Sequence, residues 1–211
     1  LRFVFYNVEN LFDTSDDPEK RDDDFTPEGK NHWTPSRYET KLQRISKTIL
    51  ATGGFDAPDM IGLCEIENRT VLEDLTKSTA ISKDDYGIVH QDSEDSRGID
   101  VAFLYRRDRV SVIDYRYLKI DFGDSTERPT RDILMLHVLL PNSDTLHAFI
   151  NHWPSRFGGH LATDHKRMAA AKTVRAMVDS LISLNPEAKI AICGDFNDHP
   201  QDESIQKGLQ A

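Results

Sequence analysis

The sequence predicts an α/β protein, on three observations. Short apolar runs that stop at turn residues recur along the chain, as in residues 190–193 before Gly194, and such runs read as buried strands. Two longer segments, 35–51 and 161–184, place apolar residues at helical spacing. From Tyr86 to Asn151 candidate strands follow one another with no helical stretch between them, which suggests antiparallel pairing there.

Taken in order, residues 2–8 alternate and carry β-branched side chains like a strand, then deliver Asn7, Glu9 and Asn10. Residues 13–36 are polar and hold eight acids against Lys20, Arg21 and Lys30. The segment is long for a connection inside a compact domain, and its composition reads as solvated acidic surface. A helix is expected from Pro35 to about Ala51, with Tyr38, Leu42, Ile45 and Ile49 on one face and Gly53-Gly54 as its stop. Residues 59–65 read as a second buried strand that ends in a carboxylate, and a second helix runs from Asn68 to about Thr79. Strands are expected at 86–91, 99–105, 110–120, 132–140 and 145–151, punctuated by Pro129 and Pro141-Asn142. Met168, Ala171, Val174, Met177, Val178, Leu181 and Ile182 give the long helix its apolar face, and Asn185-Pro186 ends it. A last strand at 188–193 and a short helix at 203–209 follow. With no internal repeat and no visible boundary, residues 1–211 read as one domain.

Composition narrows the function classes. With 38% hydrophobic and 29% charged residues the chain fits a soluble globular protein, and no apolar run reaches membrane-spanning length. It opens at Leu1 rather than Met, inside what already resembles a strand, which leaves room for a removed secretion signal and leaves the compartment open. No protein partner is implied. The net charge of −10 makes the chain a poor general binder of polyanions, so a phosphate-handling site needs local cations or metal ions. Cys64 and Cys193, the only cysteines, read as buried free thiols.

Several expected strands end in similar chemistry: Asn7, Glu65, Asn151-His152, and Asp195 with Asn197. Carboxylates and amides are hard oxygen donors, which suit Mg²⁺ or Mn²⁺, and the imidazole and amide N–H groups suit an anionic oxygen. Without cysteine ligands or an H-E-x-x-H pair, a zinc protease site is not expected.

Five segments carry a resemblance: N-V-E-N-L-F (7–12), G-L-C-E-I-E-N (62–68), R-G-I-D-V-A-F-L-Y-R (97–106), N-H-W-P-S-R (151–156) and G-D-F-N-D (194–198). In this order, they resemble the endonuclease/exonuclease/phosphatase superfamily. The resemblance implies a deoxyribonuclease I-like four-layer α/β/β/α sandwich, with two stacked mixed β-sheets and outer helices. It implies Glu65 as the metal-binding carboxylate, with Asn7 supporting the Mg²⁺ (or Mn²⁺) ion directly or through water. His152 corresponds to the histidine that contacts the scissile phosphate, Asp195 to the aspartate that orients water or holds a second metal, and Asn197 to a phosphate-binding amide. Arg97 and Arg156 are candidates for substrate phosphate, and Asp100 and Glu9 for supporting positions. Ser155-Arg156 with His160, His165, Lys166 and Arg167 would supply a local positive field. Trp33 and Trp153 could sit near a substrate or simply pack. Glu67 is expected to brace the loop or face outward.

In the family a late strand carries Ser-Asp-His, whose histidine is the general base; no such motif follows G-D-F-N-D before Ala211, so a missing C-terminal part is expected. The implied activity is Mg²⁺-dependent phosphoesterase, with a nuclease-type phosphodiesterase first, so the expected partner is a phosphate-ester substrate such as nucleic acid. The alternatives are a phosphatase or phospholipid head-group hydrolase on a small phosphorylated molecule, and a non-catalytic binding descendant of the same fold.

Overall fold

The computed structural model describes residues 1–124 and 126–211. They form two compact units, Leu1–Ser111 and Val112–Ala211.

The first unit is built on a mixed four-stranded sheet of order β1-β2-β4-β3, with β1 at Phe3–Leu11, β2 at Met60–Ile66, β3 at Tyr86–His90 and β4 at Asp100–Arg106. Strands β1 and β2 are parallel, so the chain must cross over between them. It does so through helix α1, Pro35–Gly53. Leu42, Ile45 and Ile49 of α1 pack in one core with Val8, Leu11, Ile61 and Leu63 of the two strands. Helix α2, Arg69–Lys77, is capped by Asn68, whose side chain accepts from the Val71 N–H at 3.1 Å. Strand β4 runs antiparallel to both β2 and β3.

The acidic segment before α1 is better anchored than its composition suggests. Phe12 stacks on Phe25 at 4.1 Å, Trp33 meets Phe25 edge-on at 6.1 Å, and the Trp33 indole N–H donates to the Phe12 carbonyl at 3.0 Å. Asp22 is buried and accepts from the Asp17 N–H at 3.0 Å. The Arg21 N–H and the Lys20 ammonium donate to the Ser96 and Ser93 carbonyls. Three aromatic rings and one buried carboxylate therefore fix a stretch expected to be solvated surface.

The second unit carries another mixed sheet of order β5-β6-β7-β8, with β5 at Ser111–Leu118, β6 at Ile133–Leu139, β7 at Thr145–His152 and β8 at Ile190–Asp195. Strands β6 and β7 are antiparallel, whereas β7 and β8 are parallel and joined through α3, His160–Leu184. Ala170, Ala171, Val174 and Val178 of α3 share a core with Ile133, Met135 and Phe149. Ser204–Leu209 forms a single π-helical turn that adds Ile205 and Leu209 to this core.

The sequence expectation of antiparallel neighbours holds for β3–β4 and β6–β7 but fails for β4 and β5, which follow one another yet belong to different sheets. Strand β8 is half-buried along its length rather than fully buried, because it ends the sheet and has a neighbour on one side only. Cys193, within it, is likewise only half-buried, while Cys64 is buried. Among the described residues no helix is long and apolar enough to cross a membrane.

Candidate functional site

Two parallel strand pairs bring sequence-distant polar residues together, because parallel neighbours finish at the same end of a sheet. In the first unit Asn7 of β1 lies in register with Cys64 of β2. Its side-chain amide donates to the Glu65 carboxylate at 3.2 Å. Both strand pairings of β2 shift register here: β1–β2 between Asn7 and Leu11, and β2–β4 between Cys64 and Ile66. Glu65 is the extra residue, with φ of 64°. A bulge of this kind re-aims a side chain out of the alternation, and a non-glycine residue in the left-handed region stores backbone strain. Glu9 and Asn10 share that conformation, at φ of 57° and 62°.

The Asn7 side-chain oxygen Oδ1 accepts from the Glu9 N–H at 2.9 Å. Asn7 thus turns its N–H toward the carboxylate and its oxygen toward the backbone. It orients Glu65, and Glu65 offers the hard anionic oxygen. One carboxylate fits Mg²⁺, which keeps most of its waters. The Glu9 side chain is exposed.

Of the two expectations for Glu67, it braces the loop rather than facing outward. It is buried and accepts from the Asp13 N–H at 2.6 Å. Burial pushes its pKa up to about 8, and the nearby Asp13, Asp22 and Asp17 carboxylates raise it further. Arg97 is bound in a local turn with Asp95, which accepts from both its backbone N–H at 2.8 Å and its guanidinium at 3.2 Å. Asp100 instead accepts from the Ser93 N–H at 3.1 Å, and burial raises its pKa to about 6. It lies with His90 and Asp92 in a group whose ligand atoms fall within 4.8 Å of one another. His90, pushed down to about 4 by burial, is neutral at pH 7.

In the second unit His152 of β7 is in register with Asp195 of β8. Neighbouring residues paired in a parallel ladder point to the same face, so imidazole and carboxylate are side by side at the strand ends. His152 is 4% exposed. The Trp153 N–H donates to the Asp195 carbonyl at 2.9 Å, and the Asp195 carboxylate accepts from the Asn197 N–H at 3.0 Å. The Asn197 amide donates to the Trp153 carbonyl at 2.9 Å, and Arg131 donates to the same oxygen at 2.7 Å. Asn151 bridges the strands by donating to the Cys193 carbonyl at 3.0 Å. Glycine is required at 194, because a Cβ there would lie 2.4 Å from the Asn151 carbonyl oxygen. Trp153 is fully buried against Phe196, ring centroids 4.8 Å apart, and Trp33 is 8% exposed, so both tryptophans pack.

The turn after β8 is clamped by charges that the sequence instead suggested for substrate phosphate or a local positive field. The Asp198 side chain is fully buried and lies 2.7 Å from the Arg167 guanidinium, also fully buried. Arg156 reaches the same carboxylate at 2.9 Å, Asp202 at 2.5 Å and the Asn197 carbonyl at 2.7 Å. Ser204 donates to Asp198 at 2.6 Å. His160, Asp198 and Asp202 also form a group with metal-ligand spacing, but the two arginines already neutralise its carboxylates. The positive field expected at the start of α3 is therefore largely cancelled: Arg156 and Arg167 face Asp198, while His165 and Lys166 face Glu127. Asp198 stands in G-D-F-N-D, but nothing in the sequence named Arg167 as its partner.

The family model described as Endonuclease/Exonuclease/phosphatase family matches residues 2–211. No curated protein matches the sequence. Among solved structures, the mannosyl-6-phosphatase of Bacteroides thetaiotaomicron is 14% identical with a TM-score of 0.68, over 100% of this chain and 70% of that one. Humanized D. rerio TDP2 is 15% identical with a TM-score of 0.63, over 99% of this chain and 71% of that one. The human Nocturnin catalytic domain with bound sulfate is 16% identical with a TM-score of 0.60, over 79% of this chain and 60% of that one. This chain therefore spans 60% of the Nocturnin domain's length and 70% and 71% of the other two. These likenesses bear out the deoxyribonuclease I-like α/β fold.

Proposed function

We propose, because this chain belongs to the endonuclease/exonuclease/phosphatase family, that it is a phosphoesterase that uses a divalent cation, Mg²⁺ or Mn²⁺, to hydrolyse a phosphodiester, nucleic acid first. The observation that carries the reading is the placement of Asn7 with Glu65 and of His152 with Asp195 at the ends of two parallel strand pairs. Glu65 is the cation's protein ligand, and the Asn7 amide sets the carboxylate's orientation. When bound, the cation polarises a phosphoryl oxygen and offsets charge on the leaving alkoxide.

Asp195 orients the attacking water, and His152 donates to a phosphoryl oxygen. Asn197 spends one amide N–H on the Trp153 carbonyl and has a second for the phosphate. Arg156 is reassigned from the phosphate to the turn, since its bonds to Asn197, Asp198 and Asp202 hold Asn197 in place. Phosphoryl transfer depends on such positioning and charge stabilisation more than on covalent chemistry. The reading assigns no general base among these residues.

A second reading, a phosphatase for a small phosphorylated molecule, is favoured by the net charge of −10, which opposes a long polyanion. Turnover of bis-p-nitrophenyl phosphate, plasmid DNA and a sugar phosphate, each with Mg²⁺ and with chelator, separates the two. Glu65→Gln abolishes metal-dependent turnover while the fold persists, and a wild-type rate in that variant removes the metal assignment. Asp195→Asn and His152→Ala each lower kcat by about 100-fold to 1,000-fold, the scale of losing a preorganised donor.

A further inference from the structure

Three cations of the first unit line one cleft. A cleft of about 490 Å³ opens between β1 and the first turns of α1, and Tyr6, Glu9, Trp33, Arg37, Lys41 and Arg44 are among its lining residues. Arg37, Lys41 and Arg44 occupy one face of α1 at helical spacing. Among the described residues none of the three has a carboxylate within ion-pair distance, although the exposed Glu9 carboxylate also lines the cleft. This contrasts with Arg156, Lys166 and Arg167, each of which faces an acid.

Two of the cations are held in position. The Arg37 guanidinium and the Lys41 ammonium lie over the Trp33 ring, 5.5 and 5.7 Å from its centroid. Arg37 also donates to the Asn31 and His32 carbonyls, and Lys41 to the Glu9 carbonyl. Arg44 is exposed. Lys41 is half-buried, and desolvation lowers its pKa. Such a cation gains from an anion that replaces its lost water. The Tyr6 and Val8 side chains line the cleft from one face of β1, and Lys41 within it lies close enough to the candidate metal ligand to feel the Glu65 as well as the Glu9 carboxylate.

We propose that this cleft is a second phosphate-binding subsite, in which Arg37, Lys41 and Arg44 hold a phosphate of the substrate other than the one cleaved. The inference rests on the hydrolase reading for its word "substrate", but the anion chemistry stands on the cleft alone. A guanidinium offers paired N–H groups to phosphate oxygens, and an ammonium adds a point charge. Three cations in a concave wall also focus a positive potential at the cleft. The second phosphate comes either from a neighbouring nucleotide of a strand or from a small bisphosphorylated molecule.

The test compares substrates that differ by one phosphate. The first pair is thymidine 5′-(p-nitrophenyl phosphate) with and without a 3′-phosphate, and the second is fructose 1,6-bisphosphate against fructose 6-phosphate. In the Arg37→Ala/Arg44→Ala protein, the preference in kcat/KM for the two-phosphate member falls about tenfold or more, the scale of losing a charge-assisted hydrogen bond. The pair that shows the fall identifies the source, and a preference kept within about twofold overturns the subsite. A second arm titrates inorganic pyrophosphate into the Glu65→Gln protein with chelator present, by calorimetry and by Trp33 fluorescence, with Trp33→Phe as control. Binding weakened about tenfold by the double substitution supports the subsite even where wild type hydrolyses nothing, in which case only the hydrolase reading falls. Pyrophosphate binding indifferent to both arginines rejects the subsite even where hydrolysis is robust. Circular dichroism of the double variant checks its fold, and Arg37→Lys/Arg44→Lys restores part of the preference.

Discussion

Replacing Asp198 with alanine isolates a buried cation at the base of the turn that carries Asn197. In the intact protein Asp198 and Arg167 are both fully buried and 2.7 Å apart. The Asp198 carboxylate also accepts from Ser204 at 2.6 Å and from Arg156 at 2.9 Å. Without it the Arg167 guanidinium keeps its bonds to Thr163 and the His160 carbonyl but has lost its closest counter-charge. Removing one member of a buried pair costs about 3–5 kcal/mol, because the remaining charge is left without compensation. In a chain of this size each kcal/mol moves Tm by about 2–4 °C, so the melting temperature should fall by roughly 6–20 °C. Arg156 contributes less to the loss, since it is one-third exposed and retains Asp202 at 2.5 Å. The paired substitution Arg167→Met/Asp198→Val removes both charges with little change in summed side-chain volume and should recover most of the loss, since an apolar pair replaces a buried ion pair at little cost. Thermal and urea melts of Arg167→Met, Asp198→Val and the double variant read the coupling directly. If the double variant loses as much as the two singles combined, or if Asp198→Ala melts within about 2 °C of wild type, the buried ion pair is not what secures this turn.

The other predictions concern strain, close approach and protonation. Glu65→Gly and Glu65→Ala both delete the carboxylate, but only glycine is relaxed at φ of 64°; Gly should be the more stable by about 1 kcal/mol, and equal urea midpoints would discard the strained bulge. Gly194→Ala forces a Cβ to 2.4 Å from the Asn151 carbonyl and 2.5 Å from the Asn151 Cβ, so β7 and β8 must part; the variant should fail to reach a cooperative melt, and a wild-type melt contradicts the close approach. Glu67, with its pKa raised from 4.5 to about 8, holds its proton in the folded state where the unfolded chain has released it. Its contribution to stability is therefore full below about pH 4.5 and lost as pH rises through about 8. Glu67→Gln still accepts from the Asp13 N–H and should flatten that part of the urea-midpoint profile; an unchanged profile rules out Glu67 as its source.

How much of this was legible in the sequence depended on whether the signal was local. The strand-end residues Asn7, Glu65, His152 and Asp195 stood out because short apolar runs ended in them, and two βαβ crossovers place the first two together and the last two together. The bulge that aims Glu65 was hidden, since alternation of side chains assigns no position to an extra residue. Charge was legible as a sum but not as pairs. Arg97 was weighed with Asp100, yet Asp95, two residues before it, folds back in a turn and takes both its backbone N–H and its guanidinium. The run His165-Lys166-Arg167 read as a positive field, but one acid from the loop before β6 and one from the turn after β8 cancel its members. Arg37, Lys41 and Arg44 drew no notice, because polar residues on the outer face of an amphipathic helix are what any such helix shows. Only the folded chain tells the two sets of cations apart. A cation opposite a buried carboxylate stabilises structure, whereas one with no carboxylate in ion-pair reach is available to an anion from outside, and that distinction exists only once tertiary contacts decide which acid each cation meets.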